Sequence, residues 1–142
     1  MKPFVKVALF VIFFIAVAGI LAALYFYNLK PQDLQKVKPH FVITATDLQK
    51  SFEENEKASS EKYINKIIEV SGEIISVKPG EKNSLNISLK TGSDFSAVIC
   101  TFPTVSDTTF FKTGNQITLR GVCSGFLLDV LLNNCAVIEN TK

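Results

Sequence analysis

One histidine, one arginine and three cysteines are nearly all that 142 residues offer to the commonest catalytic and metal chemistries. The histidine, His40, stands beside Pro39 and far in sequence from every cysteine, so no Cys–His dyad is suggested. A cysteine nucleophile needs a neighbouring base or another cause of a lowered pKa. No basic cluster flanks Cys100, Cys123 or Cys135. The three lie 23 and 12 residues apart without a C-x-x-C pair, a spacing that argues against a metal site, although three thiolates and Asp129 could converge in the fold. A Ser-His-Asp order, a phosphate-cradling glycine loop and an evident carboxylate pair are also missing. The expectation is a protein that is not an enzyme, with no cofactor and no metal.

Charge is missing where it matters most. Residues 7–27 read VALFVIFFIAVAGILAALYFY, 21 residues without a charge or a proline. At about 1.5 Å per residue such a helix crosses the roughly 30 Å hydrocarbon core of a bilayer. Tyr25, Phe26 and Tyr27 cluster at its end, where amphipathic rings favour the headgroup level. Ala16-Val17-Ala18 fits a signal-cleavage site only loosely, and the apolar run continues past it, which favours an uncleaved anchor. No cysteine near the N-terminus offers a lipid attachment point. Lys2 and Lys6 before the run nearly balance Lys30, Lys36 and Lys38 after it, so the positive-inside rule barely decides orientation. A six-residue tail ahead of a hydrophobic segment has the layout of a signal-anchor. The expected placement is a single-pass protein of the bacterial inner membrane, with its C-terminal domain in the periplasm.

The whole-chain charge of +2 hides an asymmetry. Residues 1–40 hold five lysines against Asp33, a net +4, near anionic headgroups. Residues 41–142 hold nine lysines and Arg120 against twelve acids, a net −2. The reading divides the chain into a short tail (1–6), a transmembrane anchor (7–27), a proline-bearing juxtamembrane linker (28–40) and one small domain (41–142). There is no internal repeat and no low-complexity tract.

Within the domain, Thr46-Asp47-Leu48-Gln49 has the form of a capping box and predicts a helix over 47–65. Its apolar stripe is thin, and the opposite face, with Glu53, Glu54, Glu56, Lys57, Glu61 and Lys62, reads as solvated. The period then shortens to two. Strands are expected at 67–77, 84–89, 95–102, 116–123 and 130–138, with turns at Pro79-Gly80 and Thr91-Gly92. Residues 104–112 form a connector that packs Phe110 and Phe111 under the sheet. A helix and five strands in this order predict a mainly β fold, a five-stranded barrel of the oligonucleotide/oligosaccharide-binding (OB) type. A small open sandwich is the alternative.

TATDLQKSFEENEKASSEKYINKIIEVSGEI, then CTF, then KTGNQITLRGVCSGFLLDVLLNNC, together resemble the tRNA_anti-like family of bacterial OB-fold proteins, over Thr44 to Val137. The most distinctive parts are Lys62-Tyr63 through Gly72, and Gly121, Cys123, Gly125, Asp129 and Cys135. The resemblance implies an OB fold tied to a membrane by a hydrophobic segment or a lipid. Its name reflects likeness to anticodon-binding barrels.

Single-strand binding asks for a basic groove with exposed rings on the middle strands. Here the domain is slightly acidic, Arg120 is its only arginine, and SLNISL (84–89) has neither ring nor cation. Phe95, Phe102 and Arg120 are the candidate ligand face. The expected function is a membrane-anchored binding or adaptor module, whose partners are the lipid bilayer and another envelope protein or a small ligand. Single-stranded nucleic acid is the alternative and ranks lower. In the last hairpin, Ile117, Leu119, Gly121 and Cys123 share the apolar face. A bend from Gly125 to Asp129, with Asp129 as a turn residue bonding backbone amides, would set Cys123 against Cys135. A disulfide between these two is a candidate, with Cys100 as the alternative partner, and it would suit an oxidising compartment.

Overall fold

A computed structural model of the chain describes residues 2–29, 32–105 and 107–141. It divides into one unit ending at Pro31 and a second beginning at Gln32. Lys30, one of the flanking lysines, lies outside the described residues.

The first unit is one helix, α1 (Pro3–Asn28). Pro3 sits at its start, where the absent N–H costs nothing. None of its side chains is buried within the protein, and its most apolar 18-residue window has a mean hydropathy of 3.0. By length and composition it can cross a membrane.

In the second unit the strands are β1 (Phe41–Thr44), β2 (Ile67–Pro79), β3 (Leu85–Lys90), β4 (Ala97–Phe102), β5 (Gln116–Phe126) and β6 (Val130–Thr141). They follow the order β1-β2-β3-β4-β6-β5, and β5 pairs back onto β2. That pairing closes a barrel of five strands, β2 to β6, with β1 as an extra strand parallel to β2. β4 and β6 run parallel, while the other barrel pairs are antiparallel. This is the OB architecture that the period-two stretches predict.

Alternation fills the interior. Leu85, Ile87 and Leu89 point inward from β3, Val98, Cys100 and Phe102 from β4, and Ile117, Leu119 and Cys123 from β5. Two short helices pack over the core, α2 (Ala45–Glu54) and α3 (Glu56–Tyr63), through Ala45, Leu48, Phe52 and Tyr63. Phe52 lies 5.2 Å from Phe126 and 5.9 Å from Tyr63, ring centre to ring centre.

Several local expectations are corrected. The single helix over 47–65 is two, because Asn55 leaves helical geometry and caps α3, its Oδ1 accepting from the Ala58 N–H at 3.0 Å. The first cap is Thr44, whose hydroxyl oxygen accepts from the Asp47 N–H at 3.1 Å. In the connector after β4, the Phe111 ring lies 5.2 Å from that of Phe102, and Phe110 is 59% exposed.

Residues 32–40, read above as linker, are bound to the barrel as a strap. Leu34 is buried. The Gln35 side-chain amide donates to the Val137 carbonyl at 2.9 Å, and the Asn134 amide donates to the Gln32 carbonyl at 3.0 Å. His40 ends the strap by exchanging bonds with Ile67, its N–H donating at 2.8 Å and its Nδ1 accepting at 3.1 Å. The lone histidine thus aligns β1 with the start of β2.

Candidate functional site

The three residues of the candidate ligand face do not come together. Phe102 is 4% exposed and belongs to the core, because alternation along β4 turns it inward. Phe95 falls just before β4, in the turn joining β3 to β4, and is 87% exposed. Arg120 lies directly opposite Glu69 in the β2–β5 ladder, and its Nε donates to the Glu69 carboxylate at 2.7 Å. Both side chains are less than one-fifth exposed. The Arg120 Nη1 also donates to the carbonyls of Leu34, Gln35 and Val37, at 3.4, 3.1 and 2.8 Å. A planar guanidinium can serve a carboxylate and a row of carbonyls at once. The sole arginine therefore fastens the strap.

The outward side chains of the middle strands are short and mostly polar: Asn86 and Ser88 on β3, Ile99 and Thr101 on β4. The Thr101 hydroxyl donates to the Asn86 Oδ1 at 2.8 Å. Lys90, at the end of β3, lies 3.9 Å from the Glu73 carboxylate. Among these residues there is no ring on which a base could stack.

All three cysteines are buried free thiols. The disulfide expected between Cys123 and Cys135 is not formed, and strand register gives the reason. The hairpin bends at 127–129, so Gly125 lies within β5 opposite Leu131, and Cys123 faces Leu132. An irregularity after Arg120 then sets Gly121 against Cys135, close enough that a Cβ there would come 2.6 Å from the Cys135 Sγ. The thiol beside Cys135 is Cys100, the alternative partner. Burial, reinforced by Cys135, holds the Cys100 thiol well above its ordinary pKa, and burial pushes Cys123 up to about 11. Neutral, inward thiols of this kind are packing groups and poor nucleophiles. Asp129 bonds to a neighbouring strand, its Oδ1 accepting from the Ala97 N–H at 2.7 Å.

An apolar concavity of about 540 Å³ lies between the strap, β6 and the β4–β5 connector. Its apolar wall is Phe102, Val105, Phe110, Phe111 and Val137, with Cys135 at its base. Asp33, Gln35 and Asp107 supply the polar part. The Thr109 hydroxyl and N–H hold the Asp107 carboxyl below its ordinary pKa, so it is ionised at neutral pH. An apolar wall beside two acids offers nothing to a phosphate and suits an apolar group that carries a neutral or cationic end. Sequence reasoning missed this cleft, because it depends on the strap, which has no periodic pattern. Among the described residues no group of three or more His, Cys, Asp or Glu side chains could hold a metal ion.

A family model, tRNA_anti-like, matches residues 1–137. The chain belongs to the tRNA_anti-like family. No curated protein matches it. Among solved structures, a proposed nucleic acid-binding lipoprotein from Klebsiella pneumoniae subsp. pneumoniae is similar at 17% identity and a TM-score of 0.54, covering 78% of this chain and 100% of that one. A proposed aspartyl-tRNA synthetase from Leishmania major Friedlin is 9% identical with a TM-score of 0.48, and the match covers 88% of this chain but 27% of that one. At such identities the first likeness supports the OB fold of this tRNA_anti-like chain, and the second adds nothing to it.

Proposed function

We propose that the chain is a membrane-anchored OB-fold binding module, placed outside the cytoplasm, whose ligand site is the cleft beneath the strap. The observation that carries this reading is the apolar wall of Val105, Phe110, Phe111 and Val137 beside Asp33 and Asp107. The preferred ligand is an apolar segment of an envelope protein or a small apolar molecule with a neutral or cationic end. α1 supplies the anchor, as a single pass through a bacterial inner membrane with the domain in the periplasm.

Cross-linking the full chain in native membranes and purifying it under denaturing conditions tests the reading. A discrete partner or small ligand is expected, with recovery reduced about tenfold by Phe110→Asp, which adds a third acid to the cleft. Equal recovery with the substituted chain would remove the cleft from consideration.

Single-stranded nucleic acid is the second reading, favoured by the lipoprotein of the same fold, which is proposed to bind nucleic acid. The committed guanidinium of Arg120 and the ring-free outer face of β3 and β4 weigh against it. Retention of the chain on single strands at physiological salt would reverse the ranking.

A further inference from the structure

The seams of the barrel are unequal. β5 pairs with β6 along 116–126 and with β2 along 116–122, whereas the ladder between β4 and β6 sets 98–100 against 130–132 and is the shortest in the barrel. It is also the parallel one, and parallel pairing holds slightly less per residue. Cysteines stand on both sides of its end. Cys100 closes the ladder on β4, opposite Leu132. On β6 the inward residues run Val130, Leu132 and then Cys135, where strict alternation would give Asn134. Asn134 absorbs the extra residue with a φ of +53°, and the β5–β6 register shifts at the same place.

The Cys135 sulfur leans back toward this seam. Its thiol donates to the Leu132 carbonyl at 3.4 Å, and Leu132 is the residue that faces Cys100. Gly121 makes room for that posture, since a Cβ there would come 2.6 Å from the Cys135 Sγ and 3.1 Å from the Leu132 Cβ. Across the seam the Cys100 and Cys135 thiols share a hydrogen bond. Cys123, the third thiol, points in from β5 and bonds with the Gly125 backbone. Cys100 is wholly buried, and Cys135, 5% exposed, lines the cleft. The structure shows the reduced form of all three.

We propose that Cys100 and Cys135 are a dithiol–disulfide pair, a covalent staple across the β4–β6 seam that forms when the domain folds in an oxidising thiol buffer. A small disulfide or an exchange catalyst supplies the oxidising S–S bond. The Cys135 thiolate attacks that bond and expels one thiol. The Cys100 thiolate then attacks the Cys135 sulfur of the mixed disulfide and expels the second. The oxidant's bond has broken, the Cys100–Cys135 bond has formed, and the protein's two protons end on the two thiols released. Inward thiols exchange slowly, so the step belongs to folding, while the seam is still open. The bond encloses all of β5 in a covalent loop and fixes the spacing between β4 and the part of β6 that floors the cleft. On the extracytoplasmic reading above the oxidised form is the resident one. The pairing itself does not depend on that reading.

Two preparations of the full chain separate the pairing from the placement. In the first, the chain in detergent is unfolded in urea, refolded with oxidised and reduced glutathione, quenched with acid, denatured and labelled with a maleimide that adds a fixed mass per free thiol. One label is expected, and three after reduction. Cys123→Ala should take none. The oxidised chain should unfold at a urea midpoint about 1 M above that of the reduced chain, a shift absent from Cys100→Ala. In the second, membranes containing the chain are quenched and labelled in the same way, again with one label expected. Three labels on the refolded chain overturn the pair. Two labels on Cys123→Ala place the bond on Cys123 and overturn it as well, and equal midpoints for the two forms overturn the staple. One label on the refolded chain with three in membranes upholds the pair and removes the domain from an oxidising compartment.

Discussion

The two sides of the barrel use the same strand period for different ends. On β3 and β4 the outward residues are short and mostly polar, and Asn86 and Thr101 bond to one another, so that side ends at its own surface. On β5 and β6 the outward residues reach beyond the sheet, where Arg120, Asn134 and the Val137 carbonyl hold a segment of chain that belongs to no strand. The first side is the one an OB barrel is expected to present to a ligand. In this protein the cleft has formed on the other side, under a strap that the chain supplies itself. On the proposed reading, the location of the site follows from what is fastened to the barrel, and the barrel alone does not decide it.

The comparison breaks most readily at Arg120. Arg120→Ala leaves Glu69 without its partner in a mostly buried position and frees three carbonyls, and should cost about 3 kcal/mol in urea unfolding. Trypsin should then cut faster after Lys36, and Arg120→Lys should fall between the two, since an ammonium cannot serve both partners. Gly121→Ala comes next. Its Cβ would meet the Cys135 sulfur, so a loss of about 2 kcal/mol is expected, part of it recovered by adding Cys135→Ala.

Alkaline pH should weaken the same side. The Cys123 pKa is raised from 9.0 to about 11 in the folded protein and Cys100 is raised also, so the folded state holds these protons more tightly than the unfolded chain. Their contribution is complete below pH 9 and is lost as pH rises toward 11. Urea midpoints measured across that interval should fall, and should fall less in Cys123→Ala than in the parent. The smallest effect is expected opposite: Ser88→Ala should change stability by no more than about 0.5 kcal/mol and leave ligand recovery unchanged. A large effect there would move the site back to the middle strands.

The barrel was legible because each strand obeys period two over six or more residues, and α1 because it is apolar all round. β1 was not legible: four residues, two of them half-buried, make no pattern that stands out from a linker. The strap was hidden for a related reason. Its attachment rests on one buried leucine and on hydrogen bonds from Arg120, Gln35 and Asn134, none of which leaves a local trace. The hairpin showed its two cysteines but not their register, because the irregularities at 118–125 change which residues face one another. Arg120 was visible as the only arginine, yet its partner Glu69 and the carbonyls it binds are set by the ladder and the strap.

The distance along the chain between Arg120 and the strap has a consequence for the order of assembly. The carbonyls at Leu34, Gln35 and Val37 wait for a guanidinium 83 to 86 residues downstream. Contacts of such separation form late, since a long loop must close before they repay its entropy. During synthesis the strap would be among the first domain residues to leave the ribosome and among the last to settle. Until β5 is in place, residues 34–37 would stay unfastened, and completing the barrel would bind them to its outer surface.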